Sequence, residues 1–273
     1  MRRLISMFGI VLAACAAMLL GGVPAHADTM ASVSVVHGIP NTPVNVFVNG
    51  KSTLANFKPG TVAGPLQLPA GTYKVTIFPA ANTAGTGTPV ISASATVTAG
   101  ANVTLVAHLS AAGKPTLTPF VNDTSTVAAG QARLVVRHTA AAPAVDVRAD
   151  GKVAFKALTN PKQAMADLPA GSISADVVLA GTSTVAIGPA TLNLAEGSDT
   201  IVYAIGSASA KSLALVVQTI DGLGSAPGGM PAGSGGFASP DNGIPTGAWL
   251  ASGIGAALAL AAGLRLAQLR TGR

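Results

Sequence analysis

The feature that most constrains this chain is that its middle is written twice. Val35-Val36-His37 returns 101 residues later as Val136-Arg137-His138. Val44-Asn45-Val46-Phe47-Val48-Asn49-Gly50-Lys51 returns at the same offset as Val145-Asp146-Val147-Arg148-Ala149-Asp150-Gly151-Lys152. The register then slips by one, Leu68-Pro69-Ala70-Gly71 matching Leu168-Pro169-Ala170-Gly171, and later Thr104-Leu105-Val106 aligns with Thr200-Ile201-Val202. Such a chain must satisfy one fold twice, with length differences confined to loops. The spacing predicts two tandem units, 31–124 and 131–221.

Within each unit, short β-branched runs alternate with turn chemistry, the pattern of an antiparallel β-protein. In the first unit the expected strands are 32–37, 44–49, 72–78, 90–97, 102–109 and 116–121. Tyr73, Val75 and Ile77 alternate with Thr72, Lys74 and Thr76, so this strand has one buried and one wet face. Asn49-Gly50 and Asp150-Gly151 are type I′ hairpin signals, because both central residues need positive φ. A charged fraction of 10%, with 32 Gly and 18 Pro, argues against a large helical bundle. The expected fold class is all-β: two tandem Ig-like antiparallel β-sandwich domains.

The charge sits at the ends. Of the net +6, Arg2 and Arg3 carry two, Arg265, Arg270 and Arg273 carry three, and 28–243 holds 11 basic against 10 acidic residues. A nearly neutral body without a basic stripe or interleaved aromatics gives no footprint for nucleic acid. Residues 1–27 read as a secretory signal peptide: Arg2-Arg3, an apolar run over 4–20, then small residues at Ala25 and Ala27, with cleavage between Ala27 and Asp28. A second reading is a lipoprotein signal at Leu12-Ala13-Ala14-Cys15, with Cys15 acylated. Cleavage after Ala27 leaves a mature chain without cysteine, which excludes disulfides and thiolate metal sites.

Residues 222–243 are Gly, Pro, Ser and Ala rich and read as a stalk. Residues 244–264 carry no charge over 21 residues, about 31 Å as a helix, enough for a transmembrane helix, and the tail 265–273 is basic. The positive-inside rule then places the tail in the cytoplasm and the body outside a bacterial cell membrane, single-pass. Gly243-Ile244-Pro245-Thr246-Gly247 offers an alternative, since it approximates a sortase sorting signal with Pro and Thr adjacent instead of one residue apart. On that reading the protein is linked to the cell wall.

The repeated residues resemble the bacterial domain of unknown function (DUF) family 4397, found in secreted and surface-anchored proteins. Its pattern is an opening strand ending in Val-x-His, a Pro-containing turn, Val-Asp-Val, a hairpin Gly, and a later Pro-Ala-Gly-x-Tyr strand. Unit two matches with Arg133-Leu134-Val135-Val136-Arg137-His138, Pro143-Ala144-Val145-Asp146-Val147 and Gly151. Unit one departs with Asn45 in place of Asp and Gly38-Ile39-Pro40 in the turn, and unit two has Ser172-Ile173 where the family has an aromatic. The resemblance implies an extracytoplasmic β-domain in two tandem copies and supplies no activity.

Catalytic chemistry has little to draw on. His37, His108 and His138 are candidate bases and Asp146 a candidate acid, yet no Gly-x-Ser-x-Gly elbow or His-Glu-x-x-His occurs, and Glu196 is the sole glutamate. The motif positions His37, Asn45, Gly50, His138, Asp146 and Gly151 therefore read as structural: a His beside a Pro turn bonds backbone there, and a repeated Asx locks the return strand. No catalytic, metal or cofactor residues are expected. The expectation is a non-enzymatic surface protein with a structural or adhesive role, membrane-anchored by its C-terminal helix. The alternative is a cell-wall glycan-binding module, for which Tyr73, Tyr203 and a few Phe would have to supply the aromatic platform. Cell-wall glycan or surface proteins are the candidate partners.

Overall fold

The computed structural model describes residues 29–225. The expected signal peptide, most of the stalk, the apolar span and the basic tail lie outside the described residues. The first half contains β1 (Met30–His37), β2 (Val44–Val48), β3 (Lys51–Phe57), β4 (Val62–Pro69), β5 (Gly71–Pro79), β6 (Ile91–Val97), β7 (Asn102–Leu109) and β8 (Pro115–Val121). The second contains β9 (Gln131–His138), β10 (Val145–Ala149), β11 (Lys152–Leu158), β12 (Gln163–Pro169), β13 (Gly171–Leu179), β14 (Val185–Leu194), β15 (Asp199–Ile205) and β16 (Ala214–Ile220). Among the described residues no helix is long and apolar enough to cross a membrane.

The first half forms two four-stranded sheets, β4-β1-β7-β8 and β3-β2-β5-β6, and the second forms β12-β9-β15-β16 and β11-β10-β13-β14. Adding eight to each strand number of the first half gives the second, so the sequence repeat is a repeat of topology. Eight strands per half exceed the six read from sequence. The extra ones, β3 and β4 with their counterparts, lie at sheet edges, where side chains stay largely exposed. An edge also admits a Pro such as Pro65 without a lost ladder bond, which is why β4 does not read as a strand.

The expectation of purely antiparallel sheets needs correction. β1 pairs with β7 in parallel, and β9 with β15. This places β1 inside its sheet, between β4 and β7, whereas an immunoglobulin constant domain partitions seven strands with its first strand at an edge.

Side-chain alternation then builds three apolar layers. Val33 on β1 and Val103 and Leu105 on β7 face Val46, Val75 and Ile77 of the second sheet in one core. Leu134, Val136 and Val202 do the same against Val147, Val177 and Leu192 in the other half. The intervening residues belong to a third cluster: Val36, Val106 and Phe120 pack against Val135, Ile201, Tyr203, Ile205 and Val216. The β4-β1-β7-β8 sheet therefore lies against the β12-β9-β15-β16 sheet, and the two sandwiches share a packed interface. This is why β7, β9 and β15 are buried almost without alternation, as expected of strands covered on both faces. Gly38 belongs to the same contact, since a Cβ there would lie 2.9 Å from Ile205 Cγ2.

The shared interface also holds a cation. Arg137 is 1% exposed. Its Nε donates to Gln163 Oε1 at 2.9 Å, Nη1 to the Tyr203 hydroxyl at 2.7 Å, and Nη2 across the interface to Asn122 Oδ1 at 2.7 Å. The guanidinium carbon lies 4.5 Å from the Phe120 ring centroid. Tyr203 in turn donates to Gln218 Oε1 at 2.6 Å, which also accepts from Thr104 Oγ1 of the first half at 3.2 Å. Burial lowers the Arg137 pKa, opposed by Tyr203. A buried guanidinium is tolerable only when its donors are satisfied, and here neutral oxygens from both halves satisfy them. Replacing Arg137 by Met leaves Asn122, Gln163 and Tyr203 short of a donor, and should cost about 3–5 kcal/mol in urea unfolding of the whole chain.

Asp199, at the start of β15, is the opposite case. It is fully buried, and neither carboxyl oxygen has a hydrogen-bond partner among the described residues. Burial pushes its pKa up to about 6, against the attraction of Arg137 and Arg133. A carboxyl whose folded pKa lies above its unfolded one stabilises the fold most at low pH, and loses that contribution as pH rises from about 4 through 6. Asp199→Asn should therefore be more stable than the parent at pH 7.5 by roughly 2–3 kcal/mol, with the gap closing at pH 4. Urea titrations of both proteins at the two pH values measure this difference.

Candidate functional site

Strand polarity sorts the loops into two ends. β1, β3, β5 and β7 run one way and β2, β4, β6 and β8 run back, so hairpin 49–50, turn 98–101 and linker 122–130 share one end, the base. Loops 38–43, 58–61, 80–90 and 110–114 share the other. The second half is oriented alike. Its loop residue Asn160 donates from Nδ2 to Leu109 O at 2.8 Å, while Arg133, low on β9, reaches the linker oxygens of Asp123 and Ser125.

Both ends of the described chain lie at the base. Ala70 N donates to Thr29 O there, and Leu223 N donates to Gly197 O. The opposite end carries eight loops, four from each sandwich, and neither end of the described residues. We take this loop end as the candidate functional surface.

The duplicated motif residues build that surface. The ring of His37 closes the first β1–β2 loop: Nε2 lies 2.8 Å from Thr42 O, and Ile39 N donates to Nδ1 at 3.4 Å. A carbonyl can only accept, so Nε2 carries the proton and the imidazole is neutral. His138 repeats the arrangement, with Nε2 2.9 Å from Pro143 O and Ala140 N donating to Nδ1. His108 bonds Leu109 O through Nδ1 and the Thr118 hydroxyl through Nε2. Burial lowers all three pKa values, which favours these neutral forms.

Asn45 and Asp146 brace the next loops. Asn45 Oδ1 accepts from Asn56 N at 2.8 Å, while its Nδ2 donates to Ala80 O and Asn82 O. Asp146 accepts from Ala157 N at 2.7 Å and from Gly181 N at 2.9 Å. Those two amides hold its carboxyl below the usual range. Asn56 and Ala157 both sit at positive φ, 50° and 49°, in the irregular stretch where β3 and β11 shift register. For Ala157 this backbone is unfavourable, and an ionised acceptor is the stronger restraint. The expected hairpin turns occur at the base: Asn49 and Gly50 have φ of 50° and 78°, Asp150 and Gly151 49° and 74°. Gly50 and Gly151 thus belong to the opposite end from the four braces.

The structure does not pair His37 with Asn45 or His138 with Asp146; each histidine bonds backbone of its own loop, and Asn45 and Asp146 bond backbone of later segments. Among the described residues no group of His, Cys, Asp and Glu could hold a metal ion. Sequence reasoning missed Arg137 as the interface cation and Asp199 as a buried acid. The signal available for Arg137 was its place inside an apolar run, Leu134-Val135-Val136, that continues to His138.

Residues 31–148 match the model of the Domain of unknown function (DUF4397), a span that takes in the first sandwich, β9 and most of β10, so both Val-x-His strands fall inside it. No curated protein matches the chain. Because Asn45 is 3% exposed and makes three backbone bonds, Asn45→Ala should cost about 2–3 kcal/mol. Limited proteolysis of that variant should cut first within 80–90.

Proposed function

From a chain that carries a DUF4397 domain, we propose a non-enzymatic bacterial cell-surface module with a structural or adhesive role. The observation that carries this reading is the polarity of the fold: both ends of the described chain leave from the base, and eight loops face the other way. A tether at either end leaves the loop end directed outward. Two tandem β-sandwiches, fused through Arg137 and the apolar cluster around it, make a short rigid body suited to presenting a surface. The tether is the segment 244–264 as a single membrane span, reached through the stalk 222–243, after removal of 1–27 at Ala27-Asp28.

The side chains that could act as bases support a non-catalytic role, because both nitrogens of each buried imidazole are already engaged in short-range bonds. A general base needs a free nitrogen within reach of a substrate proton. Protease treatment of intact cells, followed by mass analysis of the membrane fraction, tests the proposal. A chain beginning at Asp28, retaining Arg273 and lost on protease treatment is expected. Protection from protease would overturn it, and loss of everything after Thr246 would replace the membrane span with a wall linkage.

A further inference from the structure

The body is nearly neutral in sum, but the topology distributes its charges unevenly along the strand axis: Lys51, Lys74, Lys152 and Arg133 lie at or near the base among most of the described acids, and the other lysines gather towards the loop end. Glu196, Asp123, Asp150, Asp167, Asp199 and Asp221 all lie at or near the base, in the linker, the hairpin or the base-side parts of strands. Asp176, on β13, is gripped by Arg148 Nε at 2.7 Å. Among the described residues the acid at the loop end is Asp146, 8% exposed and held by two backbone amides. Lys58, Lys114, Lys162 and Lys211 are exposed there, with Lys156 just below on β11. None of them takes part in an ion pair among the described residues.

Their placement follows a rule. Lys114 and Lys162 immediately precede β8 and β12, and Lys58 and Lys211 stand three or four residues ahead of β4 and β16. These four strands are the two edges of each inner sheet. The lysines therefore mark the corners of the paired inner sheets, a rectangle of about 14 Å by 10 Å from three strand spacings and one sheet separation. Contacts hold the corners together: His138 N donates to Lys162 O, Gly60 N to His37 O, and Asn160 reaches Leu109 beside the turn that ends in Lys114. The loops between them consist mainly of Ala, Gly, Ser, Thr and Pro, with no aromatic residue to stack a base or a sugar.

We infer that the loop end is a binding surface for a soluble anionic polymer, one carrying phosphate or carboxylate groups at regular intervals, such as an acidic envelope glycan. The inference rests on the surface-module reading and gives it a ligand class. Dispersed lysines without hydrogen-bonding partners or aromatic platforms recognise charge density and not a single sugar. Such binding is salt-dependent, because the polymer releases counterions as lysines neutralise it. The base, where Lys51, Lys74, Lys152 and Arg133 stand among the acids, offers no comparable excess of cations, so the polymer engages the loop end.

The test uses the full-length chain in a neutral maltoside detergent, titrated with long-chain polyphosphate and with alginate, with dextran as a neutral control. Binding of both polyanions at 50 mM salt, weakening steeply towards 300 mM, and no binding of dextran are expected. Replacing Lys58, Lys114, Lys162 and Lys211 together by Gln should weaken binding about tenfold or more, whereas Lys51→Gln with Lys152→Gln at the base should change it less than about twofold. If the quadruple variant does not fold, the single reversals Lys114→Glu and Lys211→Glu carry the same comparison. Absence of binding at low salt, or equal loss from loop-end and base variants, overturns the inference. Binding to phosphatidylglycerol vesicles without binding to either polymer overturns it in favour of a lipid surface. Surface exposure by protease is scored separately, so a failed polymer titration on an exposed protein leaves the surface-module reading standing.

Discussion

A buried guanidinium holds the two sandwiches of this protein in one body. Arg137 comes from the second half, and one of its three hydrogen bonds goes to Asn122 at the end of the first. Without that cross-bond the β4-β1-β7-β8 sheet would still offer Val36, Val106 and Phe120, but an apolar contact alone leaves the sliding register of two flat faces loosely specified. The fixed fork of the guanidinium specifies it, and the Tyr203, Gln218 and Thr104 chain repeats the link alongside. The orientation of the halves, and with it the alignment of all eight loops at one end, is held by this network together with Asn160 at Leu109 O and Arg133 at the linker oxygens.

Duplication also exposes how one structural task is solved with two chemistries. At the irregular return of β3 the first half places Asn56, which tolerates positive φ, and braces it with the amide of Asn45. At the same place on β11 the second half has Ala157, which does not, and braces it with the carboxylate of Asp146. Asn45 has two donors to spend on Ala80 and Asn82 in a long loop, while Asp146 has only acceptors and takes the amide of Gly181 in a shorter one. The brace residue follows the backbone group that its loop presents.

The repeat, the hairpins at Asn49-Gly50 and Asp150-Gly151 and the six more regular strands of the first half were legible because they rest on local rules: spacing, positive φ and alternation. β3 and β4 were not, because the side chains of β3 stay almost wholly exposed and Gly64-Pro65 interrupts the run of β4. The parallel pairing of β1 with β7 joins residues about seventy positions apart and leaves no local trace. The braces were legible as repeated residues but not as four supports of one surface, since that grouping arises only when strand directions are known. The cationic excess of the loop end was hidden for the same reason: a count over 28–243 sums its lysines with the acids of the base.

The linker between the halves is also where the chain departs. Val127 N donates to Leu223 O at 2.7 Å and Ser225 N to Val127 O at 3.1 Å, with Val127 fully buried. A pull on the chain beyond Ser225 is thus delivered to the seam between the sandwiches, not to the far edge of either. Load arriving from a ligand on one half reaches the tether without passing through the core of the other. Mechanically the body is a yoke with its pin at the centre.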